Sequence, residues 1–159
     1  MDETERNEHG KIIAVSLNAS AGETLTRRCF AGHVYRFLRS VTLHEGLRTI
    51  DEEAFHGCRR LESVVLPHGL HTIRARAFYH CARLRDVNFP EGLSVIGESA
   101  FAGCSHLGPS IELPIGFTTL GAGAFRDCQR VFVVTVRDRC DIGEQAFVGC
   151  TRLEDLALH

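Results

Sequence analysis

The chain has 159 residues, 44% of them hydrophobic, which is enough apolar material for one domain with a continuous core. Its formal charge of -2 argues against a surface for nucleic acid or anionic membranes, because both need a concentrated basic face. No apolar run approaches the roughly 20 residues that span a bilayer, and the opening MDETERNEHG lacks the basic and apolar parts of a secretory signal. We therefore expect an intracellular, cytoplasmic protein that neither enters a membrane nor binds nucleic acid.

The first third of the chain is the least regular. Residues 1–11 are mostly polar and charged, and we predict a flexible N-terminal arm there, followed by a single domain over residues 12–159. The segment IIAVSL at 12–17 predicts a strand. LTRRCFAGHVYRFLRSVTL at 25–43 is a degenerate copy of a later repeat, in which Cys29 and His33 take slots that are alanine and cysteine further on.

From residue 47 onward, one motif recurs. Ala-Phe pairs fall at 54/55, 77/78, 100/101, 124/125 and 146/147. Each pair is followed by a cysteine, and the spacings are 23, 23, 24 and 22 residues: Cys58, Cys81, Cys104, Cys128 and Cys150. A fixed period of this length, with the same slots always apolar, is typical of a solenoid in which each copy buries its core against its neighbours.

Each copy contains two local signals. Segments such as VVLP and IELP alternate apolar and polar residues and predict a short, half-buried strand. The Ala-Phe-x-x-Cys-x-x-Leu segment places apolar residues at i, i+1, i+4 and i+7, which indicates a turn or two of helix. We therefore predict an α/β repeat solenoid with one parallel strand and one short helical turn per repeat of 22–24 residues, and about seven strands in all.

The pattern LxxIxxxAFxxCxxLxxVxLP resembles the BspA-like leucine-rich repeat over roughly residues 12–159. This class occurs in bacterial and protist proteins, often at cell surfaces. The resemblance implies a right-handed leucine-rich-repeat coil that binds proteins, in some members host matrix proteins, and it brings no catalytic residues or cofactor to carry over.

Cysteines and histidines are the candidates for chemistry, and we interpret them as structural. Seven cysteines cannot all pair within one chain, and no Cys-x-x-Cys is present. His56 lies two residues before Cys58, but its slot is Tyr, Ala, Arg or Val in the other copies, so we predict neither a metal nor a catalytic site. The cysteine column is expected to be buried and inert. Cys140 lies outside the repeat slot, beside Arg139 and Asp141, and is either an exposed thiol or a filler.

The predicted function is that of a non-enzymatic scaffold or assembly subunit that binds protein; the alternative is an adhesin-like surface module that recognises host or matrix proteins. One predicted binding surface is the outer face of the strands, called the sheet face here: Ser40, Thr42, Ser63, Val65, Asp86, Asn88, Ser110, Glu112, Val133, Thr135, Asp155 and Ala157. The other is the C-terminal end of the array, which can also support end-to-end self-association. Its predicted residues are Phe147, Leu153, Leu156 and Leu158.

Overall fold

The structure is a computed structural model that describes residues 24–26, 37–137 and 139–158, together with the backbone of two strands at 3–6 and 12–17. Within that part of the chain there are thirteen short strands and no helix. The strands are β1 (Glu3–Arg6), β2 (Ile12–Leu17), β3 (Thr24–Leu25), β4 (Ser40–Leu43), β5 (Thr49–Ile50), β6 (Ser63–Val65), β7 (Thr72–Ile73), β8 (Val95–Ile96), β9 (Ser110–Leu113), β10 (Thr119–Leu120), β11 (Val133–Val136), β12 (Asp141–Ile142) and β13 (Asp155–Leu158).

The longer strands form the parallel stack that the repeats predict. β2, β4 and β6 pair in parallel, and so do β9, β11 and β13. Six of the seven predicted strands are present, and the seventh, at residues 86–89, contributes only a bridge from Asp86 to Ser63. β1 lies in the predicted arm and pairs antiparallel with β2.

The stack is interrupted between residues 86–89 and β9, with no ladder pairing across this gap in the described residues. The repeat that spans the gap has 24 residues, one more than its two predecessors. Gly108 donates its backbone N–H to Arg85 O at 3.1 Å. The next residue, Pro109, has no N–H to donate, so the regular ladder cannot begin there. Its carbonyl still accepts hydrogen bonds from Phe132 and Val133 of the following turn.

A second parallel sheet, which the sequence did not predict, follows the Leu-x-x-Ile part of each repeat. It consists of two-residue strands in the order β12-β10-β8-β7-β5-β3. In the interior strands the second residue is buried, as in Ile50, Ile73, Ile96 and Leu120. Each turn of the solenoid therefore carries two strands rather than one.

The predicted helical turn is wrong, and the backbone hydrogen bonds explain why. In the first regular repeat, the N–H groups of Ala54, His56 and Cys58 bond to carbonyls three residues back. The N–H groups of Glu53, Phe55 and Gly57 instead bond to the next repeat. An α-helix needs an unbroken i to i−4 series, and every second donor is diverted here. The segment is thus a stack of tight turns.

Positive φ angles recur in these turns and also interrupt helical geometry. Glu53 has φ of 56° and Gly57 has φ of 74°, and the corresponding residues of later repeats adopt similar values. The left-handed region suits glycine, asparagine and aspartate better than other residues. The glycine before Cys58, Cys104 and Cys150, and Asp127 before Cys128, were the sequence signal for this turn.

The core is a set of apolar columns along the solenoid axis. Phe55, Phe78, Phe101 and Phe125 have no exposed surface. Neighbouring rings of the column stack nearly parallel, with centroids 4.9 to 5.9 Å apart from Phe55 to Phe147. The predicted Phe and Cys slots are therefore confirmed as the interior of the coil for the first four regular repeats, whereas Phe147 and Cys150 of the fifth are only partly buried. The slots assigned to Cys29 and His33 lie outside the described residues.

Candidate functional site

The sheet face is held by the register of the parallel ladders. Ser40, Ser63 and Asp86 lie opposite one another on successive strands, and Ser110, Val133 and Asp155 do so beyond the interruption. A second row contains Thr42 and Val65, and then Glu112, Thr135 and Ala157. The structure thus gathers the predicted residues on one face, but in two groups separated by the gap before β9. Asn88 is exposed beside this gap.

The chemistry of the sheet face is that of a shallow, small-residue surface. Its large apolar side chains are Val65, which is 56% exposed, and Val133, which is partly exposed. Glu112 lies 3.8 Å from the guanidinium of Arg137, and both side chains are more than half exposed, so this ion pair adds little stability. The described part of this face carries no Trp or Tyr of the kind that dominates tight interfaces.

The C-terminal end has a different character, because apolar slots that are buried elsewhere are open there. Leu156 is 39% exposed and Leu158 is 61% exposed, whereas their ladder counterparts two turns earlier, Ile111 and Leu113, are each 1% exposed. Phe147 and Leu153 pack against the core but are only partly buried. All four predicted end residues therefore lie at one surface, next to a strand, β13, whose outer edge is unpaired within the described residues.

The cysteine column is buried and hydrogen bonded. The thiols of Cys81, Cys104 and Cys128 donate to the carbonyls of Phe55, Phe78 and Phe101, with sulfur to oxygen distances of 3.2, 3.2 and 3.3 Å. Burial raises the pKa of each of these three thiols, so the neutral form is strongly favoured. Such groups are poor nucleophiles and poor metal ligands, since both roles need the thiolate.

Cys150 and Cys140 lie near the C-terminal end and are less enclosed. Cys150 donates to Phe125 O at 3.1 Å but is only half-buried. Cys140 is partly exposed and packs against the core, which combines both of the roles expected for it. Partial burial, and secondarily the carboxylate of Asp141, raise the pKa of Cys140. A raised pKa does not favour a specially reactive thiol.

His56 is not directed at Cys58. Its Nδ1 atom lies 3.5 Å from a carboxylate oxygen of Glu53, and its ring packs at 5.1 Å against Tyr79 of the next repeat, while Cys58 is enclosed in the core. No group of three or more potential metal ligands occurs among residues 24–26, 37–137 and 139–158.

A basic ladder is the feature that sequence reasoning missed. The second residue after each column cysteine is basic in all five regular repeats and exposed in the structure: Arg60, Arg83, His106, Arg130 and Arg152. Read along the chain, the arginines are scattered singly. Because they occupy the same slot of successive repeats, these residues lie in successive turns, on the edge of the coil that precedes the strands. Their recurrence in one slot was the sequence signal that could have predicted the ladder.

Family comparison agrees with the geometry. The parallel strands and the columns of Phe and Cys slots are those of a leucine-rich-repeat solenoid. A family model described as BspA type leucine rich repeat region matches residues 23–157 in six copies. The chain belongs to this family, whose leucine-rich repeats generally mediate protein–protein interaction and are not catalytic. A search of curated proteins found no significant match.

Solved structures of bacterial leucine-rich-repeat proteins share the fold. A T. pallidum leucine-rich-repeat protein, TpLRR, is 30% identical with a TM-score of 0.79, covering 98% of this chain and 78% of that protein. A leucine-rich-repeat protein from Bacteroides ovatus is 25% identical with a TM-score of 0.81, over 97% of this chain and 44% of that one. A leucine rich cell surface protein from Faecalibacterium prausnitzii is 20% identical with a TM-score of 0.67, over 98% and 54%. The chain thus spans about half the length of the last two proteins.

In the part of the chain that the structure describes, no helix is long and apolar enough to cross a bilayer.

Proposed function

We propose that this protein is a non-enzymatic scaffold or assembly subunit, and that it binds a partner protein through the C-terminal end of its solenoid. The observation that carries the proposal is the exposure of Leu156 and Leu158, in slots that are closed in the interior repeats. Burying apolar surface of this kind stabilises a contact by roughly 25 cal/mol per Å². The partner protein that binds here must therefore place apolar side chains against Leu156 and Leu158.

The free edge of β13 adds directional hydrogen bonds to this apolar surface. β13 pairs with β11 on one side and with no described strand on the other. An unpaired edge readily accepts a further strand. We therefore propose strand addition next to β13, accompanied by packing of apolar side chains over Phe147, Leu153 and Leu156.

The opposite end of the stack bears on the form of any self-association. β2 is paired on one side with β4 and on the other with β1. Head-to-tail pairing of β13 with β2 of another copy would have to displace β1. A self-contact through this edge is therefore expected to join two C-terminal ends, antiparallel and about a two-fold axis.

Two lysine substitutions in β13 separate the end from the sheet face. Leu156→Lys places a charge in the open inner slot, and Ala157→Lys places the same charge on the sheet face of the same strand. The parent and both variants are immobilised, exposed to extract of the native source and compared by quantitative mass spectrometry. Far-UV circular dichroism checks that each variant is folded, and sedimentation velocity measures self-association.

The proposal requires that Leu156→Lys reduces recovery of a partner, or dissociates a dimer, while Ala157→Lys does not. Loss with Ala157→Lys alone would move the binding surface to the sheet face. Both surfaces would be ruled out if the parent stays monomeric at high concentration and if neither substitution changes which proteins it retains from the extract.

The alternative function, recognition of host or matrix proteins by an adhesin-like module, would use the sheet face. What favours it is the exposure of polar side chains on both sides of the interruption before β9, among them Thr42, Asn88 and Glu112. The Ala157→Lys variant tests it directly, with purified extracellular matrix protein as the probe.

A further inference from the structure

The basic ladder borders two shallow cavities that adjoin one another. The larger, of about 430 Å³, lies between the last three regular repeats and is lined by Ser105, His106, Gln129, Arg130, Thr151 and Arg152. The smaller, of about 230 Å³, lies at the interruption of the sheet and is lined by Arg85, Asp86, His106, Gly108, Pro109, Arg130 and Phe132. His106 and Arg130 line both, so the two cavities form one groove along the ladder.

The positive charge in this groove is largely uncompensated. Among the described residues, neither Arg85 nor Arg130 forms an ion pair, and Arg152 is held by its contact over the Phe132 ring at 5.5 Å rather than by a carboxylate. By contrast, Arg83, at the start of the ladder, lies 3.9 Å from a carboxylate oxygen of Glu62. Asp86 is the single carboxylate in the lining of either cavity.

The ladder is also spatially ordered. His106 Nδ1 donates to Ala82 O at 2.8 Å, which fixes the imidazole against the preceding turn. Successive turns of a parallel stack lie about 4.8 Å apart, so the three rungs that line the groove, His106, Arg130 and Arg152, span roughly 10 Å. The distance between neighbouring turns is shorter than the Debye length of about 8 Å at physiological ionic strength, so the guanidinium charges of Arg130 and Arg152 act together on a bound anion.

We propose that this groove binds an acidic, extended segment of a partner protein. Carboxylates of the segment would pair with Arg85, Arg130 and Arg152, and its backbone would follow the solenoid axis across the turns. Guanidinium groups suit this task because their planar fork matches a carboxylate with two hydrogen bonds. The groove reaches the last repeat at Arg152, next to Leu153 of the C-terminal end. Arg85 and Arg130, whose charge the test below reverses, lie in earlier turns, so the proposal is tested independently of the proposed function.

An acidic peptide fits better than nucleic acid, because the neighbouring sheet face is itself acidic. Asp86, Glu112 and Asp155 are exposed there, and the whole chain carries a formal charge of -2. A polyphosphate backbone would meet repulsion along the full width of these strands. A narrow peptide can place its carboxylates on the ladder alone and still satisfy its backbone polar groups.

Fluorescence polarisation with a labelled peptide of alternating glutamate and serine tests the proposal. A length of about eight residues suffices, because an extended chain rises about 3.3 Å per residue. The charge-reversed variant is Arg85→Glu combined with Arg130→Glu. The matched control is Arg126→Glu combined with Arg137→Glu, which changes the net charge equally at exposed arginines outside the groove lining. Thermal unfolding verifies that both variants are folded.

The expected result is saturable binding that weakens by about tenfold or more in the groove variant and by less than about twofold in the control, and that weakens as salt is added. Absence of binding at low salt would overturn the proposal, and so would an equal loss in both variants. An oligouridylate of the same length provides the competing class. If the oligouridylate binds more tightly than the peptide, and if its binding is lost in the groove variant, the groove is a nucleic-acid surface and the proposal is wrong.

Discussion

The interior repeats and the last repeat have the same residue types in the same slots, yet they differ in exposure. Phe101 is fully buried between the rings of Phe78 and Phe125, while Phe147 has a stacked neighbour on one side only. Cys104 and Cys150 differ in the same way. Burial in this protein is therefore a property of the interface between neighbouring turns, as expected for a quasi-one-dimensional array.

The interior turns and the last turn also differ in how much of their surface contributes to the stability of the fold. An interior turn uses both of its faces for the fold, and its free surface is limited to the sheet face and the edges of the coil. Within the described residues, the last turn has one apolar face with no turn packed on it and one strand edge with no paired strand. The same side chains that hold the interior together can therefore serve as a contact surface at the end.

The largest effect is expected from removing one phenyl ring in the middle of the column. Phe101→Ala should lower the free energy of unfolding by about 3 to 5 kcal/mol, because it leaves a cavity between two stacked rings. Phe147→Ala, at the half-open end, should cost only about 1 to 2 kcal/mol. Urea unfolding followed by circular dichroism measures both. Equal losses would show that the end is as enclosed as the middle.

Thiol reactivity is the next prediction. In the folded chain, Cys140 and Cys150 should be alkylated at least about a hundredfold faster than Cys104, because a fully enclosed thiol reacts only after local opening. Cys140 is expected to react first. Peptide-resolved mass spectrometry after timed iodoacetamide treatment gives the order, and a fully denatured sample shows the intrinsic rates. Fast reaction at Cys104 would mean that the interior turns open readily.

The register of the array was predictable from the sequence, since it depends on slots that must be apolar in every copy. Phe55 to Phe147 and Cys58 to Cys150 recur with near-constant spacing, and a stacked core is the arrangement that buries them all. Six of the seven strands followed from the same pattern. The strand at 86–89 did not form its ladder with β9, because Pro109 falls where the next N–H donor would stand.

The helical turn and the basic ladder show where the sequence was insufficient. Spacings of i, i+4 and i+7 suit a helix and a stack of turns equally well. The positive φ at Glu53 and Arg76 accompanies hydrogen bonds to the next repeat, and the helix propensity of a local segment carries no information about such bonds. The ladder from Arg60 to Arg152 is formed by residues about 23 apart in the chain. The net charge of the chain, or of a short segment of it, does not show that these residues lie in successive turns.

The interior and the last repeat should also differ in how alkaline pH lowers the unfolding free energy, and this effect is smaller than that of Phe101→Ala. Burial raises the pKa of Cys104 above its ordinary value, so the folded state keeps a proton that the unfolded state loses. The resulting stability is complete below the unfolded pKa and is lost as the pH rises above it. Between pH 8 and pH 10, the loss of unfolding free energy should be about 2 kcal/mol smaller in Cys104→Ala than in the parent.

The matched variant for this pH measurement is Cys150→Ala. Its side chain is only half-buried, so the same pH change should separate it from the parent by less. Unfolding by urea at the two pH values, under reducing conditions, gives the differences. An identical pH dependence in parent and Cys104→Ala would show that this thiol is not desolvated in the folded state.

The smallest effect is expected at the open end of β13. Leu158 is 61% exposed, so Leu158→Ala should change the unfolding free energy of the isolated chain by less than about 0.5 kcal/mol. Leu113, two turns earlier in the same ladder position and 1% exposed, should lose about 2 to 5 kcal/mol on the same substitution. Equilibrium unfolding at two protein concentrations makes the comparison decisive. If Leu158→Ala costs as much as Leu113→Ala and the cost grows with concentration, another copy covers this end; if the cost is small at both concentrations, the end is free to accept a different protein.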